Sequence, residues 1–211
     1  MSGRRTPWRE ARLVAVDLET TGLDPKRDQV VSFAAVPIEA GRIVAGASVY
    51  GLVRPERDVP GTSIEIHGIR EQDLAGAPAA EIAFEPLAEA MRGRELVAHA
   101  AWVERAFLVG PMRRYGIRIP RTPLDTAELW RYLCIEREHH DPGFRRLGAI
   151  AEALGLPVHH PHHARGDALT TAQVFLALAT HLEQRDRRTV GALRSARRQV
   201  QGFRMFHPAT G

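Results

Sequence analysis

Residues 13–25 read "LVAVDLETTGLDP" and predict a central strand of the fold with two acids near its end. The run is rich in Val and Leu, which is typical of a strand buried inside a sheet. Asp17 and Glu19 are two positions apart, so both side chains project from the same face. A divalent cation would relieve the repulsion between them, because Mg²⁺ prefers oxygen ligands. A strand end that reaches solvent would relieve it as well.

The segments on either side of residue 60 predict further strands and helices. "QVVSFAAVPIEAGRIVAGASVYGLVRP" indicates two strands joined by a hairpin at "EAGR", with fraying near Pro37. "TSIEIHG" is typical of a short helix capped by Thr62 or Ser63 and ended by glycine. "EIAFEPLAEAMRG" predicts a helix with three residues on one face: Ile82, Leu87 and Met91. Strands followed by alternating strands and helices predict a mixed sheet with helices on its faces.

Two later segments carry further acids. "VAHAAWVERAFL" predicts a strand running into a helix, with Glu104 near the start of that helix. "HHARGDALTT" places Asp167 in a first helical turn, where the helix dipole favours an anion. His162 precedes it in a loop, and a histidine side chain can act as a base near neutral pH. Alone, Glu104 is an ordinary surface acid and Asp167 an ordinary capping acid, whereas together with the first segment they supply further carboxylates and a base.

Together these segments resemble the DEDDh family of 3′–5′ exonucleases, which includes the bacterial polymerase proofreading subunit, RNase T and oligoribonuclease. The resemblance covers roughly residues 12–182, and "VAVDLETTGLDP" and "HHARGDALTTAQVF" match the first and third family motifs in full. The second motif is typically His-Asn-Ala-x-Phe-Asp. Here it runs from His99 to Glu104 as His-Ala-Ala-Trp-Val-Glu, so the acid is one methylene longer and Asn and Phe are replaced.

The resemblance implies an α/β fold with an RNase H-like mixed β-sheet flanked by α-helices. It implies hydrolysis at the 3′ end of single-stranded DNA or RNA with two Mg²⁺ or Mn²⁺ ions. By the same resemblance, His162 is the general base. The metal ligands are the four acids Asp17, Glu19, Glu104 and Asp167. The backbone of Thr20, Thr21 and Gly22 would contact the terminal nucleotide, and Leu23 would wedge between its base and the next.

The altered second motif leaves an alternative function open. A degenerate, non-catalytic member of the family would bind nucleic acid or a protein partner without cleaving it. The sequence does not favour DNA over RNA, since both fit the same metal chemistry.

Other polar and aromatic residues have simpler interpretations. Asp125 in "LDTAEL" predicts a helix cap with a supporting role at the site. Trp102 and Trp130 are expected in the core or the cleft wall. The run "HHPHH" lacks the cysteine partners that are usual at a zinc site, and the chain has one cysteine, Cys134.

The resemblance implies an exonuclease domain at residues 11–183, and the uneven charge predicts a basic helical extension at residues 184–211. Residues 185–211 hold seven arginines and one aspartate, although the whole chain has a net charge of only +4. That extension could pack on the body, contact phosphates, or mediate a homodimer or a protein partner. A single cysteine, no signal peptide and no apolar run of membrane-spanning length indicate a cytoplasmic setting without a membrane partner.

Overall fold

The computed structural model describes residues 5–138, 140 and 142–206. In these residues one six-stranded sheet is built from β1 (Leu13–Thr20), β2 (Val30–Glu39), β3 (Arg42–Ile43), β4 (Val49–Leu52), β5 (Glu95–Ala98) and β6 (Leu124–Asp125). The helices are α1 (Gly61–His67), α2 (Glu71–Leu74), α3 (Ala80–Met91), α4 (Trp102–Arg114), α5 (Thr126–Glu138), α6 (Leu147–Ala153), α7 (Ala164–Glu183), α8 (Val190–Arg194) and α9 (Ala196–Phe206). A 3₁₀ turn spans Ala45–Ala47.

The sheet is mixed, and β1 lies inside it. The strand order is β3-β2-β1-β5-β6, and β4 also pairs with β2. β1 runs antiparallel to β2 and parallel to β5, which is in turn parallel to β6. Helices cover both faces, which confirms the predicted mixed sheet flanked by helices.

Alternation along β1 decides which helices its acids meet. Leu13 and Ala15 pack in one core cluster with Phe175 and other residues of α7. Val14 and Val16 pack in a second cluster with residues of α3 and α4. Because side chains two apart share a face, the acids at positions 17 and 19 continue the row that faces α7.

The predicted hairpin is confirmed, but the predicted fraying is wrong. Ala40 and Gly41 have φ values of 51° and 68°, and Glu39 pairs with Arg42. β2 continues through Pro37 to its end at Glu39. The carbonyl of Pro37 accepts a hydrogen bond from the backbone N–H of Val44. The nitrogen of Pro37 therefore points towards the same neighbouring segment, where β3 has ended and a 3₁₀ turn begins. The missing N–H therefore interrupts no ladder.

Two details of the predicted helices are wrong. Ile82 is 65% exposed, whereas Leu87 and Met91 are buried. Ile82 and Leu87 are five positions apart, which places them about 140° apart around a helix of 3.6 residues per turn. The N-cap of α1 is Pro60, so Thr62 and Ser63 lie inside the helix; its end at Gly68, with φ 73°, is as predicted.

The C-terminal residues join the main core. Val190, Leu193, Ala196 and Val200 are buried in the cluster that also contains residues of α5 and α7. The backbone N–H of Val190 donates to the carbonyl of Thr6 at 3.0 Å, which ties the C-terminal segment to the N-terminal one. A domain division at residue 184 stays a prediction. No helix in the described part of the chain is long and apolar enough to cross a membrane.

Candidate active site

Three carboxylates from opposite ends of the chain converge at the end of β1. Oxygen atoms of Asp17, Glu19 and Asp167 all lie within 4.8 Å of one another. Asp17 and Glu19 come from β1, and Asp167 comes from the first turn of α7, which packs against that strand. The acids line a cleft of about 280 Å³.

Glu104 contributes a fourth acid to the same cleft. It lies in the first turn of α4 and is only 3% exposed, so it is not the surface acid that its position alone would suggest. Its Oε2 atom is buried and accepts no hydrogen bond from the described residues. A buried carboxylate oxygen without a donor is costly unless a cation or a proton satisfies it.

Burial and mutual repulsion raise the pKa values of these acids. Burial is the main cause for Asp17, whose pKa is raised well above its usual value, and the charges of Glu104, Glu19 and Asp167 raise it further. Burial and the charge of Asp167 raise the pKa of Glu19 to about 8. Burial also raises the pKa values of Glu104 and Asp167. Without a cation, the cleft favours protonated carboxyl groups.

The donor set fits a divalent cation. Converging carboxylate oxygens are the ligands that Mg²⁺ and Mn²⁺ prefer, and a bound cation would offset the repulsion that raises the pKa values. The unpartnered Oε2 of Glu104 gives an independent reason for positive charge in this cleft.

His162 lies at the mouth of the cleft on a loop that is pinned to α7. Its backbone N–H donates to Oδ2 of Asp167 at 2.9 Å, and its φ of 61° is left-handed. A Cβ at Gly166 would lie 2.2 Å from the carbonyl oxygen of His159, so only glycine lets the loop approach the helix this closely. The exposed imidazole of His162 is therefore held next to the acids.

The turn after β1 is locked by side-chain hydrogen bonds. The hydroxyl of Thr20 donates to the carbonyl of Gly22 at 2.6 Å, and the hydroxyl of Ser63 donates to the carbonyl of Thr21 at 2.6 Å. A Cβ at Gly22 would lie 2.5 Å from Oδ2 of Asp28, so a larger residue has no room there. Leu23 follows the turn and is 61% exposed at the cleft.

Asp125 supports the segment that carries Glu104. Its Oδ1 accepts from the backbone N–H of Ala127 at 2.9 Å and of Ala100 at 3.2 Å, and its Oδ2 accepts from Ala101 at 3.0 Å. It therefore caps α5, as predicted, and also fixes the turn before α4, where Ala100 has a φ of 53°.

Three residues at the cleft were not assigned a role from the sequence. His67 is buried beside the acids; its Nδ1 accepts from the N–H of Ile69, and its Nε2 has no partner among the described residues. Both ring nitrogens of His99 are bonded, one to the hydroxyl of Thr126 and the other to the carbonyl of Arg145. Phe144 is 64% exposed next to the His99 ring.

The two tryptophans differ in their placement. Trp130 is partly buried and packs against the main core, as predicted. Trp102 was predicted to lie in the core or in the cleft wall. It is 55% exposed at the start of α4, so it does not lie in the core. It borders a separate cavity on the other side of that helix turn. Cys134 is buried and makes no disulfide.

A family model described as "Exonuclease" (RNase_T) matches residues 14–175. The chain belongs to this exonuclease family. The match confirms the family resemblance predicted from the sequence. It covers all four acids, His162 and the turn after β1, whereas α8 and α9 lie beyond it.

Characterised relatives agree with the family assignment. A "DNA polymerase III subunit epsilon-like protein" of Rhodobacter capsulatus is 38% identical over 194 residues, which are 89% of this chain and 26% of the relative. The "3′-5′ exonuclease DinG" of Bacillus subtilis is 32% identical over 187 residues, covering 87% of this chain and 19% of that protein. The chain thus spans about a quarter or less of these relatives' length.

Solved structures confirm the fold. Exonuclease X in complex with 5′ overhanging duplex DNA superposes with a TM-score of 0.63 at 25% identity, covering 86% of this chain and 99% of that one. E. coli Exonuclease I in complex with a dT13 oligonucleotide gives 0.68 at 14% identity, covering 83% of this chain and 42% of that one. The exonuclease-family sheet is therefore RNase H-like, as predicted.

Proposed function

We propose that this exonuclease-family chain removes nucleotides from the 3′ end of single-stranded DNA or RNA in a reaction that needs divalent cations. The observation that supports the proposal best is the convergence of Asp17, Glu19 and Asp167 within 4.8 Å, beside the buried and unpartnered Oε2 of Glu104. This arrangement supports a site of the DEDDh type with glutamate as the second-motif acid.

The proposed roles follow from the chemistry of the side chains. The four acids would hold two Mg²⁺ or Mn²⁺ ions, which supply positive charge to the oxygens that enter and leave phosphorus. The His162 imidazole accepts the proton of the attacking water as the bond from its oxygen to phosphorus forms. The bond between phosphorus and the 3′ oxygen of the neighbouring nucleotide breaks, so the terminal nucleotide leaves as a 5′-monophosphate. A solvent water protonates the freed 3′ oxygen of the shortened strand, which becomes a 3′ hydroxyl.

The turn after β1 is suited to hold the terminal nucleotide. The backbone of Thr20, Thr21 and Gly22 contacts it, and the exposed side chain of Leu23 wedges between its base and the next. Because hydrogen bonds already fix this turn, little order has to be gained when a strand binds.

The type of nucleic acid, the partner and the cellular location are further parts of the proposal. Solved relatives contain a dT13 oligonucleotide in one case and duplex DNA with a 5′ overhang in another, which favours DNA ends as the first substrates to test. A polymerase-subunit name among the relatives favours a protein partner. A homodimer or partner contact through residues 184–211 and a cytoplasmic location remain predictions.

The direct test follows a 5′-labelled single strand, as matched DNA and RNA, in Mg²⁺, Mn²⁺ or EDTA. We expect a ladder of shortened products with either metal, none in EDTA, and none from Asp17→Ala. A strand left intact by the wild-type chain with both metals would support the non-catalytic alternative, and equal cleavage by Asp17→Ala would refute the proposed site.

A further inference from the structure

A second cavity lies on the other side of the first turn of α4. Its volume is about 180 Å³, and none of its lining residues also lines the acid cleft. Four segments form its walls: the start of α4, the loop before β6, the start of α5, and the α8–α9 segment. Four arginines line it: Arg105, Arg121, Arg194 and Arg197.

Three of these arginines have no acidic partner. Arg194 pairs with Glu95. Arg105, Arg121 and Arg197 are exposed, and within residues 5–138, 140 and 142–206 none of them forms an ion pair or a side-chain hydrogen bond. Guanidinium groups that line one cavity and form no ion pair of their own are suited to bind an external anion.

The acids of this cavity are already engaged. Both oxygens of Asp125 accept backbone N–H groups, three in all, at 2.9–3.2 Å. Glu128 lies 3.6 Å from the guanidinium of Arg131. Both acids keep their negative charge, so the described lining carries four arginines against two acids and is basic on balance.

The active-site cleft has the opposite character. Four acids line it, and none of the described residues that line it is Arg or Lys. A nucleic-acid strand carries one phosphate per nucleotide, so affinity depends on basic side chains that replace its counterions. Glu104 lines the cleft and Arg105 lines the cavity, so consecutive residues of one helix turn connect the acidic surface to the basic one.

We propose that the cavity of Arg105, Arg121 and Arg197 binds a backbone phosphate of the nucleic-acid strand, outside the cleft that takes its 3′ end. Guanidinium forks bind phosphate oxygens through paired hydrogen bonds and carry no base preference. Arg197 and the rest of the C-terminal wall of the cavity lie beyond residues 14–175, which the family model matches. The choice of nucleic acid over other polyanions rests on the proposed function.

The test measures binding separately from cleavage. Full-length variants that all carry Asp17→Asn bind a fluorescent single strand of 20 nucleotides at several salt concentrations. For Arg105→Gln/Arg121→Gln/Arg197→Gln we expect the magnitude of the slope of log K against log[salt] to fall by about 0.7, since one single-strand phosphate contact is lost and each contributes about 0.7. We expect the affinity at low salt to fall at least about tenfold with it.

Two matched variants control for charge and for folding. Arg42→Gln removes an exposed arginine on β3, at the opposite end of the strand order from β6, and should leave the slope unchanged. The triple Arg→Lys variant keeps the charge and should retain most of the slope. Melting temperatures near that of the parent will show that the variants are folded.

The possible outcomes separate this inference from the proposed function. Equal slopes for the triple Gln variant and Arg42→Gln overturn the inference, even if the wild-type chain degrades the strand. A reduced slope supports it, even if the wild-type chain degrades nothing and the proposed function fails. An acidic peptide of equal charge that binds the parent more tightly than the strand does, and loses that advantage in the triple variant, would also overturn it.

Discussion

At the residue scale, the carboxyl groups of the cleft are held where burial and mutual repulsion both favour the neutral form. Such crowding is rare in a core that serves stability alone, because it destabilises the folded state whenever the acids ionise. Bound cations would reverse this effect. The protonation of these groups and their affinity for metal are therefore linked.

The first prediction concerns pH and metal. The pKa of Glu19 is about 8 in the folded chain against 4.5 as its ordinary value, so between these values the folded state binds the proton more tightly. Its contribution to the free energy of unfolding is favourable at low pH and is lost as pH rises towards 8. We expect the melting temperature gained on adding Mn²⁺ to be larger at pH 8 than at pH 6, as measured by thermal unfolding in metal or EDTA.

Glu19→Gln serves as the control for that measurement. The metal-free variant should lose less stability between pH 6 and pH 8 than the wild type, because the titrating group is gone. A wild-type chain whose metal-induced gain is the same at both pH values would contradict the prediction.

A second prediction concerns the unpartnered oxygen of Glu104. Glu104→Gln keeps the shape and removes the charge, so we expect cleavage to slow by roughly 10–100-fold, the range typical of perturbed metal sites. The free energy of unfolding in EDTA should not fall, because burial raises the pKa of Glu104 and favours its neutral form without metal, and glutamine is also neutral and of similar shape. Glu104→Asp, which restores the usual family acid, should cleave faster than the Gln variant. Full activity of Glu104→Gln would exclude a role for its charge.

At the element scale, β1 and the turn after it set the geometry of the site. Alternation in β1 aims both acids at the helix face that carries Asp167. The turn is closed around Asp28, whose carboxylate accepts from the hydroxyl of Thr21 at 3.2 Å and from the N–H of Asp24 at 2.8 Å. Glycine at position 22 is required by this close approach.

The third prediction is a double-mutant cycle on this turn. In Gly22→Ala the new methyl group would lie 2.5 Å from Oδ2 of Asp28, so the turn must shift. We expect a loss of about 1–3 kcal/mol in the free energy of unfolding, typical of overpacking, together with slower cleavage. In an Asp28→Ala background the same substitution should lose much less stability, because the clashing carboxylate is absent. Additive effects in urea denaturation would show that the clash is not the cause.

At the scale of the whole molecule, the two ends of the chain are part of one core. Trp8 packs edge-on against Phe175 of α7, and its backbone N–H donates to the carbonyl of Arg188. Leu193 and Val200 are buried in the same cluster. The segment that completes the arginine cavity is thus held by apolar packing.

The fourth prediction tests whether residues 184–211 fold with the rest. Leu193→Ala should lower the free energy of unfolding of the whole chain by about 2–5 kcal/mol, as expected for a buried leucine. Arg198→Ala, an exposed residue of α9, should change it by less than about 0.5 kcal/mol. Urea denaturation followed by fluorescence and circular dichroism gives the measurement. Two separate transitions, with only the first sensitive to Leu193→Ala, would instead support an independent extension.

The amino-acid sequence by itself determined the central strand, the pairing of its two acids on one face, and the helix start that carries Asp167. It also identified the exonuclease family. These features follow from local rules: a period of two along a strand, helix capping, and motifs read in order. The exposure of Ile82 follows from an equally local rule, the angle between helix positions.

Only the tertiary structure decided which distant groups meet. Packing of α7 on β1 brings Asp167 to Asp17 and Glu19, and packing of α4 buries Glu104, which its sequence position alone assigns to the surface. The arginine cavity draws on four segments between residues 101 and 197, so no local pattern could indicate it. Contacts between residues far apart in the chain depend on how the faces of helices and strands pack. A periodic sequence pattern indicates which face of an element is buried, but it does not indicate which other element covers that face.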